Sequence, residues 1–404
     1  MSAASVPDEE TLTRFADLVV GFGANVQHDQ IVAIGAEIGK ERVTRALAAS
    51  AYRHGARFVD VAYFDQHLKR ARALEAREDT LDFVPSWYGE RVLEIGRQRC
   101  ARIGLTGPAA PGLMDDVDPV LAGRDQLPFL PESGVVVNEG TTNWTAVPCP
   151  TLPWARLVFP DRTDEEAEAA LWGAILHVCR LDEEDPIAAW RQRAGTLIAA
   201  AERLTQQRFS ALRFRGPGTD LEVGLLPTSS WLAARFTTVG GIEHMPNLPS
   251  EEIFSAPDPQ RVEGVVRATK PLVLGGSIIR GLEVEFRAGR VERIDADEGA
   301  EVLRAYVARD EGAARLGEVA LVDGDGRIGA LDTTFFDTLL DENAASHIAL
   351  GQAYAISAGE EDHPRLNKSA IHIDFMIGSA DVAVAGVGAE GSEVPVLTGG
   401  AWQL

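Results

Sequence analysis

Acids and imidazoles stand inside apolar sequence in two segments near the C-terminus of this 404-residue chain, DENAASHIALGQAY (341–354) and NKSAIHIDFMIGS (367–379). Glu342, His347, Tyr354, His372 and Asp374 are all residue types that bind metals, and their neighbours are the residues of a protein core. An uncompensated carboxylate in such surroundings is very costly. Any fold this chain adopts must therefore bring a partner to these groups, and a divalent metal ion is the simplest candidate.

The run IHIDFMI (371–377) is flanked by β-forming residues, and side chains alternate between the faces of a strand. His372, Asp374 and Met376 then share one face, and Ile371, Ile373, Phe375 and Ile377 the other. An HxD pair on one face is a compact two-ligand clamp for a metal. Taken alone, it reads first as a buried His–Asp hydrogen bond. Glu318 opens the apolar run 318–322 and could equally mark a strand end in solvent. Glu251 and Glu252 follow Pro249-Ser250, where adjacent acids ordinarily form a solvated turn or a helix N-terminus capped by Ser250. A helix starting near Asn343 would carry His347 on its first turns with Glu342 at its entrance. Asp341 and Asn343 could instead be caps, with Glu342 exposed.

The residues gain meaning together. Four acids (Glu252, Glu318, Glu342, Asp374) and two imidazoles (His347, His372) stand in or beside apolar segments of the C-terminal half. Mixed carboxylate and imidazole donors suit Zn²⁺, Co²⁺ or Mn²⁺ better than a thiolate-seeking metal. The set exceeds what one zinc takes from protein and matches two ions about 3.5–4 Å apart that share a bridging carboxylate, a recurring hydrolytic device.

Upstream, 31–34 suits a buried strand, 41–54 has helical periodicity through Val43, Leu47 and Ala51 with Gly55 at C′, and 58–61 is the next strand. This βαβ unit predicts a parallel sheet. Residues 106–135, rich in Gly, Pro and Asp, read as a loop. Thr163 and Glu166 form a capping box before a helix to about Cys179, and Asp185-Pro186 starts another to about Thr205. Strand patterns then dominate, at 209–214, 221–225, 262–269, 272–274, 278–286, 291–296, 318–322 and 371–377, with a hairpin turn at Ala288-Gly289. The expected architecture is an α/β N-terminal domain with a parallel sheet over 1–205 and a β-rich α+β C-terminal domain over 206–404, the half that carries the candidate ligands and that the resemblance given below implies is catalytic.

Against 38 basic residues stand 61 acidic ones, a net charge of −23 that argues against nucleic-acid or anionic-membrane partners. Cys100, Cys149 and Cys179 are far apart and in no CxxC pair, which disfavours a disulfide framework and fits a reducing compartment. The acidic N-terminal segment lacks the apolar stretch of a signal peptide, and no run of 18 apolar residues occurs. The expectation is a cytoplasmic protein with no membrane span. His244, before Met245-Pro246, reads as an exposed turn histidine, and His28, His54, His67 and His177 as structural residues without a carboxylate at ligand spacing.

Five segments carry a family resemblance: LPSEEIFSAPD (248–258), VRATKPLVL (266–274), LGEVALVD (316–323), TLLDENAASHIALGQAY (338–354) and NKSAIHIDFMIGS (367–379). The chain resembles the M29 peptidases, the thermophilic aminopeptidase (aminopeptidase T / aminopeptidase S) family. Weaker agreement through TDLEVGL (219–225), DPIAAW (185–190) and the N-terminal βαβ unit extends it over essentially the whole chain. The resemblance implies a metalloaminopeptidase that hydrolyses the N-terminal bond of peptides with a free N-terminus, using two divalent ions (Zn²⁺, Co²⁺, Mn²⁺ or Mg²⁺). It carries ligand roles to Glu252, Glu318, Glu342, His347, His372 and Asp374, with Glu318 as the bridge, and places Tyr354 at the site wall. It also implies a homodimer with an enclosed cavity. By analogy with other two-metal aminopeptidases, Glu251 is the candidate general base. Tyr354 would either donate to the developing oxyanion or hold a ligand. The rival readings are a mononuclear iron dioxygenase of the same fold, which needs only a His/His/Asp set, and an inactive homologue that keeps a metal for stability.

Overall fold

The computed structural model describes residues 6–128 and 130–404. These fall into two compact units: one runs through Arg193 and adds Arg235–Ser250 and Phe335–Leu339, and the other comprises Ala194–Ala234, Glu251–Thr334 and Leu340–Leu404.

The first unit is built on the expected parallel sheet. Its strands are β1 (Ile31–Glu37), β2 (Phe58–Phe64), β3 (Ala101–Thr106) and β4 (Trp144–Pro148), in the order β2-β1-β3-β4. Helix α1 (Glu9–Leu18) packs on α2 (Glu41–Arg53), the crossover between β1 and β2, which buries Val43, Leu47 and Ala51. Gly55 takes φ +87° just beyond the α2 C-cap, as its spacing predicts. Lys40 is buried in the β1–α2 turn, where its ammonium meets the Glu37 carboxylate at 3.1 Å and donates to the Leu105 carbonyl at 3.0 Å. The Thr163–Glu166 capping box is present at the start of the helix Asp164–Val178, and Pro186–Gln207 forms the next long helix. The stretch 106–135 is not all loop. Pro119 and Pro131 each begin a helix (Pro119–Arg124 and Pro131–Asn138), because proline's fixed φ suits the first helical turn.

The second unit is β-rich and antiparallel, with an eight-stranded sheet, a five-stranded sheet and a two-stranded ribbon. The Ala288-Gly289 hairpin is as expected, with φ +48° and +75° at its two turn residues. The run 278–286 is not one strand. Ser277–Ile279 pairs back onto Leu272–Leu274, and Glu283–Arg287 joins the large sheet. Gly281, at φ +61°, stands at the break. Apolar content alone could not locate this turn.

The five-stranded sheet matters most for function. Its outer strand His372–Met376 pairs with His347–Gly351, then come Leu316–Val322, Glu252–Ser255 and the short edge Leu232–Ala233. Gly351 takes φ +105°, and a β-carbon there would collide with the Ile371 carbonyl, so the register at the sheet's outer edge depends on a glycine. Ile253, Val319, Leu321, Ile348, Leu350, Ile373 and Phe375 are buried on one face.

Candidate metal centre

The opposite face of that sheet is polar. Cross-strand register places Ala320 opposite both Phe254 and His347, and Ala349 opposite both Glu318 and Asp374. Residues directly opposite share a face, as do residues two apart. Glu252, Glu318, His347, His372 and Asp374 therefore project from four adjacent strands to one side. The small side chains of Ala320 and Ala349 sit between them and leave room. Glu342 joins from the end of the short helix Thr338–Glu342.

His347 does not lie on a helix. The helix ends at Glu342, a turn follows in which Ala344 donates to the Asp341 carbonyl, and His347 opens a strand. The β-branched and apolar residues after it favour the sheet. Nor do Glu251 and Glu252 form a solvated turn or a helix start. Glu252 is the first residue of a strand, and both are buried. Asp341 lies inside the helix and meets the Lys270 ammonium at 3.8 Å rather than capping it, and Glu342 is buried.

Distances within the cluster are short. His347 Nε2 lies 3.0 Å from Glu252 Oε2 and 3.6 Å from Glu318 Oε1. His372 Nε2 lies 3.7 Å from Glu318 Oε2 and 3.4 Å from Asp374 Oδ1. Glu318 thus offers one oxygen to each imidazole. On their far sides, His347 Nδ1 is 3.1 Å from the Ala345 carbonyl and His372 Nδ1 is 2.7 Å from the Gln352 carbonyl. A carbonyl can only accept, so each Nδ1 carries the hydrogen and each Nε2 faces the carboxylates, the tautomer that backbone support of a metal-binding histidine selects. Three overlapping sets bring their donor atoms within 4.8 Å of one another: Glu252, Glu318, His347; Glu318, His372, Asp374; and Glu342, His347, Asp374. Two of the closest atoms, Glu252 Oε2 and Asp374 Oδ1, are buried near an imidazole yet in no hydrogen-bond geometry. Buried carboxylate oxygens left outside hydrogen-bond geometry fit a cation.

Electrostatics agree. Burial pushes the Glu318 and Glu342 carboxyls up, and for Glu342 the charges of Asp374 and Glu252 add to it. Burial pushes His347 down, but Glu252 and Glu318 outweigh it and raise the ring well above its ordinary range. His372, also opposed by burial, is held up at about 10 by Asp374 and Glu318. Burial works against ionisation of Asp374, and His372 overcomes it to hold that carboxyl low. Without a cation, the histidines must act as the counter-charge.

A family model described as thermophilic metalloprotease (M29) matches residues 8–402. The chain belongs to the M29 family. Among M29 relatives, it is 42% identical to aminopeptidase T of Thermus thermophilus, over 98% of each chain. It is 36% identical to aminopeptidase PepS of Streptococcus thermophilus, again over 98% of each. A solved structure of wild-type AmpT from Thermus thermophilus superposes with a TM-score of 0.88 at 40% identity, covering 98% of this chain and 100% of that one. The M29 match spans both units.

The other residues singled out in the sequence fall as follows. Tyr354 has its ring centroid 5.0 Å from that of His372 and 6.1 Å from that of Phe254. Burial pushes its phenol well above the ordinary range, and the negative charges of Glu318 and Asp374 push it further. Glu251 is fully buried, lies against Gly326, and is not part of the three donor sets found among the described residues. His244 is no surface turn residue. It is 5% exposed, its ring centroid 6.3 Å from Trp144 and 6.1 Å from Phe236. His177 does have a carboxylate, Asp182, at 2.7 Å on the surface. Two residues near the centre were not read from the sequence as parts of it. Lys270 faces Asp341, and a basic residue beside the proline of VRATKPLVL was the available signal. Asn343, read only as a cap, accepts a hydrogen bond from the Glu251 N–H at 2.6 Å. Among the described residues no helix is long and apolar enough to cross a membrane.

Proposed function

We propose that this chain is a metal-dependent aminopeptidase that releases the N-terminal residue of peptides at a centre holding two divalent ions, Zn²⁺, Co²⁺, Mn²⁺ or Mg²⁺. The observation that carries the two-ion reading is the overlap of the three donor sets, in which Glu318 turns one oxygen to each histidine. Charge supports it as well. Glu252, Glu318, Glu342 and Asp374 bring four negative charges, and with neutral imidazoles two divalent cations cancel them. That balance removes the cost of burying the acids. M29 membership supports the activity, and the relatives' being aminopeptidases supports the N-terminal bond as the one cleaved.

In this reading Glu252, Glu318, Glu342, His347, His372 and Asp374 would hold the ions, with Glu318 serving both. The ions, when bound, supply Lewis acidity that lowers the pKa of a water and polarises the scissile carbonyl. Glu251 takes the proton of the attacking water and returns it to the leaving amine, so it acts first as base and then as acid. Tyr354 stays protonated because burial and the surrounding acids hold its pKa high. Its hydroxyl can therefore donate to the oxygen that gains negative charge, a contribution typically worth ~3–4 kcal/mol in the transition state. The active form is a homodimer that encloses a cavity for peptides, works in the cytoplasm and takes no nucleic acid. The net charge of −23 supports that last exclusion.

The test is release of free amino acids from a peptide library by protein stripped of metal and reconstituted with each of the four ions, with metal content measured in parallel. Release with at least one ion, at two ions per chain, is expected; no release with any of them overturns the reading. Glu251→Gln should keep both ions and lose most turnover. Near-normal kcat in that variant would remove Glu251 from the mechanism.

A further inference from the structure

Glu251 precedes the strand Glu252–Ser255, whose pairing with Leu316–Val322 begins at Glu252 opposite Val322. Its backbone N–H therefore lies outside the ladder, in a residue with no exposure at all. A buried N–H left without an acceptor is costly, so it must find one elsewhere. The acceptor is the side-chain oxygen of Asn343, at 2.6 Å. Asn343 is itself fully buried, and it directly follows Glu342 in the chain. One hydrogen bond thus joins two segments 92 residues apart. One carries Glu251 and Glu252. The other carries Glu342 and turns into the His347 strand.

We infer that Asn343 is a positioning residue for the metal centre: its side-chain oxygen fixes the Glu251–Glu252 backbone relative to Glu342, so that donors from two chain segments arrive at one place. This deepens the two-ion reading and rests on it. The physical need is specific. Glu252 sits at the very start of its strand, where sheet pairing constrains the backbone on one side only. Glu342 sits at the end of a helix of five residues, too short to hold its own terminus rigidly. Neither is well fixed by its own element, and the Asn343 bond ties each to the other. Groups hydrogen-bonded to a metal's ligands typically contribute 10–100-fold to its affinity, and Asn343 acts on the ligands through the backbone that carries them, which sets that range as the upper scale of the effect.

Asn343→Ala and Asn343→Asp distinguish this role from general stability. Metal-stripped wild type and both variants are titrated with Zn²⁺ by calorimetry, and with Co²⁺ while its visible absorption is followed as a report on coordination geometry. Circular dichroism and urea unfolding show which variants fold. Asn343→Ala is expected to weaken binding of at least one ion on the order of 10–100-fold and to change the Co²⁺ spectrum. Asn343→Asp keeps an acceptor at the same place and is expected to bind within about threefold of wild type, by the same measure. Its added charge would only favour a cation, so weakened binding there could not be blamed on charge. Wild-type affinity and spectrum in Asn343→Ala overturn the inference, as does equal weakening in both variants. If Asn343→Ala does not fold, Asn343→Leu, of similar size and without an acceptor, takes its place with the same two outcomes. Wild-type protein that binds no ion would instead overturn the two-ion reading and is recognised before either variant is measured.

Discussion

Glu318 turns its two oxygens toward different imidazoles, 3.6 Å from His347 and 3.7 Å from His372, while Glu252 is close only to His347. If, as proposed, Glu318 serves both ions and Glu252 one, the two should fail differently when removed. Glu318→Ala is expected to weaken both ions by at least the ~10–100-fold that losing an outer partner costs. Glu252→Ala should weaken chiefly one. Metal content after dialysis against limiting chelator checks this, and equal retention of one tight ion in both variants would contradict the bridging role. Glu342 makes the complementary case. Its folded pKa is raised by burial, then by Asp374 and Glu252, so without a cation its ionised form destabilises the fold at every pH above its ordinary range. Glu342→Gln should therefore raise the melting temperature of the metal-stripped protein at neutral pH. The same variant should reduce the rise that added metal produces. Buried acids of this kind cost stability until their ion arrives.

At the scale of elements, the short hairpin Phe236–Thr237 with Glu243–His244 holds a histidine where none was expected to be buried. Burial pushes His244 down to about 4, the Ile242 backbone offsets this only in part, and neither ring nitrogen has a partner in hydrogen-bond geometry. The sign follows from proton counting. Between pH 6.5 and 4 the unfolded chain binds a proton at this residue and the folded chain does not, so stability falls as pH falls through that window. The loss at its foot is about 3 kcal/mol. His244→Leu should be less sensitive to acid by about 2 kcal/mol between pH 7 and pH 4.5, read from urea unfolding at the two values. An unchanged pH dependence would mean the ring titrates freely in the folded protein. The sequence could not reveal this burial, because it comes from Trp144 on β4, a hundred residues away. By contrast, the placing of His372 and Asp374 together needed only the two-residue period of a strand, and that was legible in IHIDFMI. Glu252, Glu318 and His347 could be nominated as types in apolar context. Their common face, however, depends on the register of four strands, which local pattern does not encode. For His347 the local pattern offers a helix starting near Asn343 as one reading, and the structure has a strand. The strand won because the residues after His347 are buried on both faces of the sheet. Asn343 was legible as a polar residue in a turn and illegible as the acceptor for a backbone group 92 positions upstream.

For the whole molecule, the proposed centre would couple metal binding, protonation and folding. In the metal-stripped chain His372 is held at about 10 and His347 is raised well above its ordinary range, both by neighbouring carboxylates. A histidine raised in this way contributes stability that is fully present below its unfolded pKa of about 6.5 and is lost as pH climbs through its folded value. Glu342 and Glu318, raised by burial, act in the same direction, since they favour the fold only while protonated. Metal-stripped protein should therefore become progressively less stable from about pH 6.5 toward pH 10. An ion bound at the centre takes over as counter-charge and needs the imidazoles neutral and the carboxyls ionised, so its binding releases protons and tightens as pH rises. With ion at about a thousand times its Kd, the gain in stability should be about 4 kcal/mol. Urea unfolding across this pH range, with chelator and with saturating Zn²⁺ or Co²⁺, should give two curves that diverge as pH increases. Parallel curves would mean that the buried histidines are not the counter-charge of the empty site, and that something other than a cation compensates its four acids.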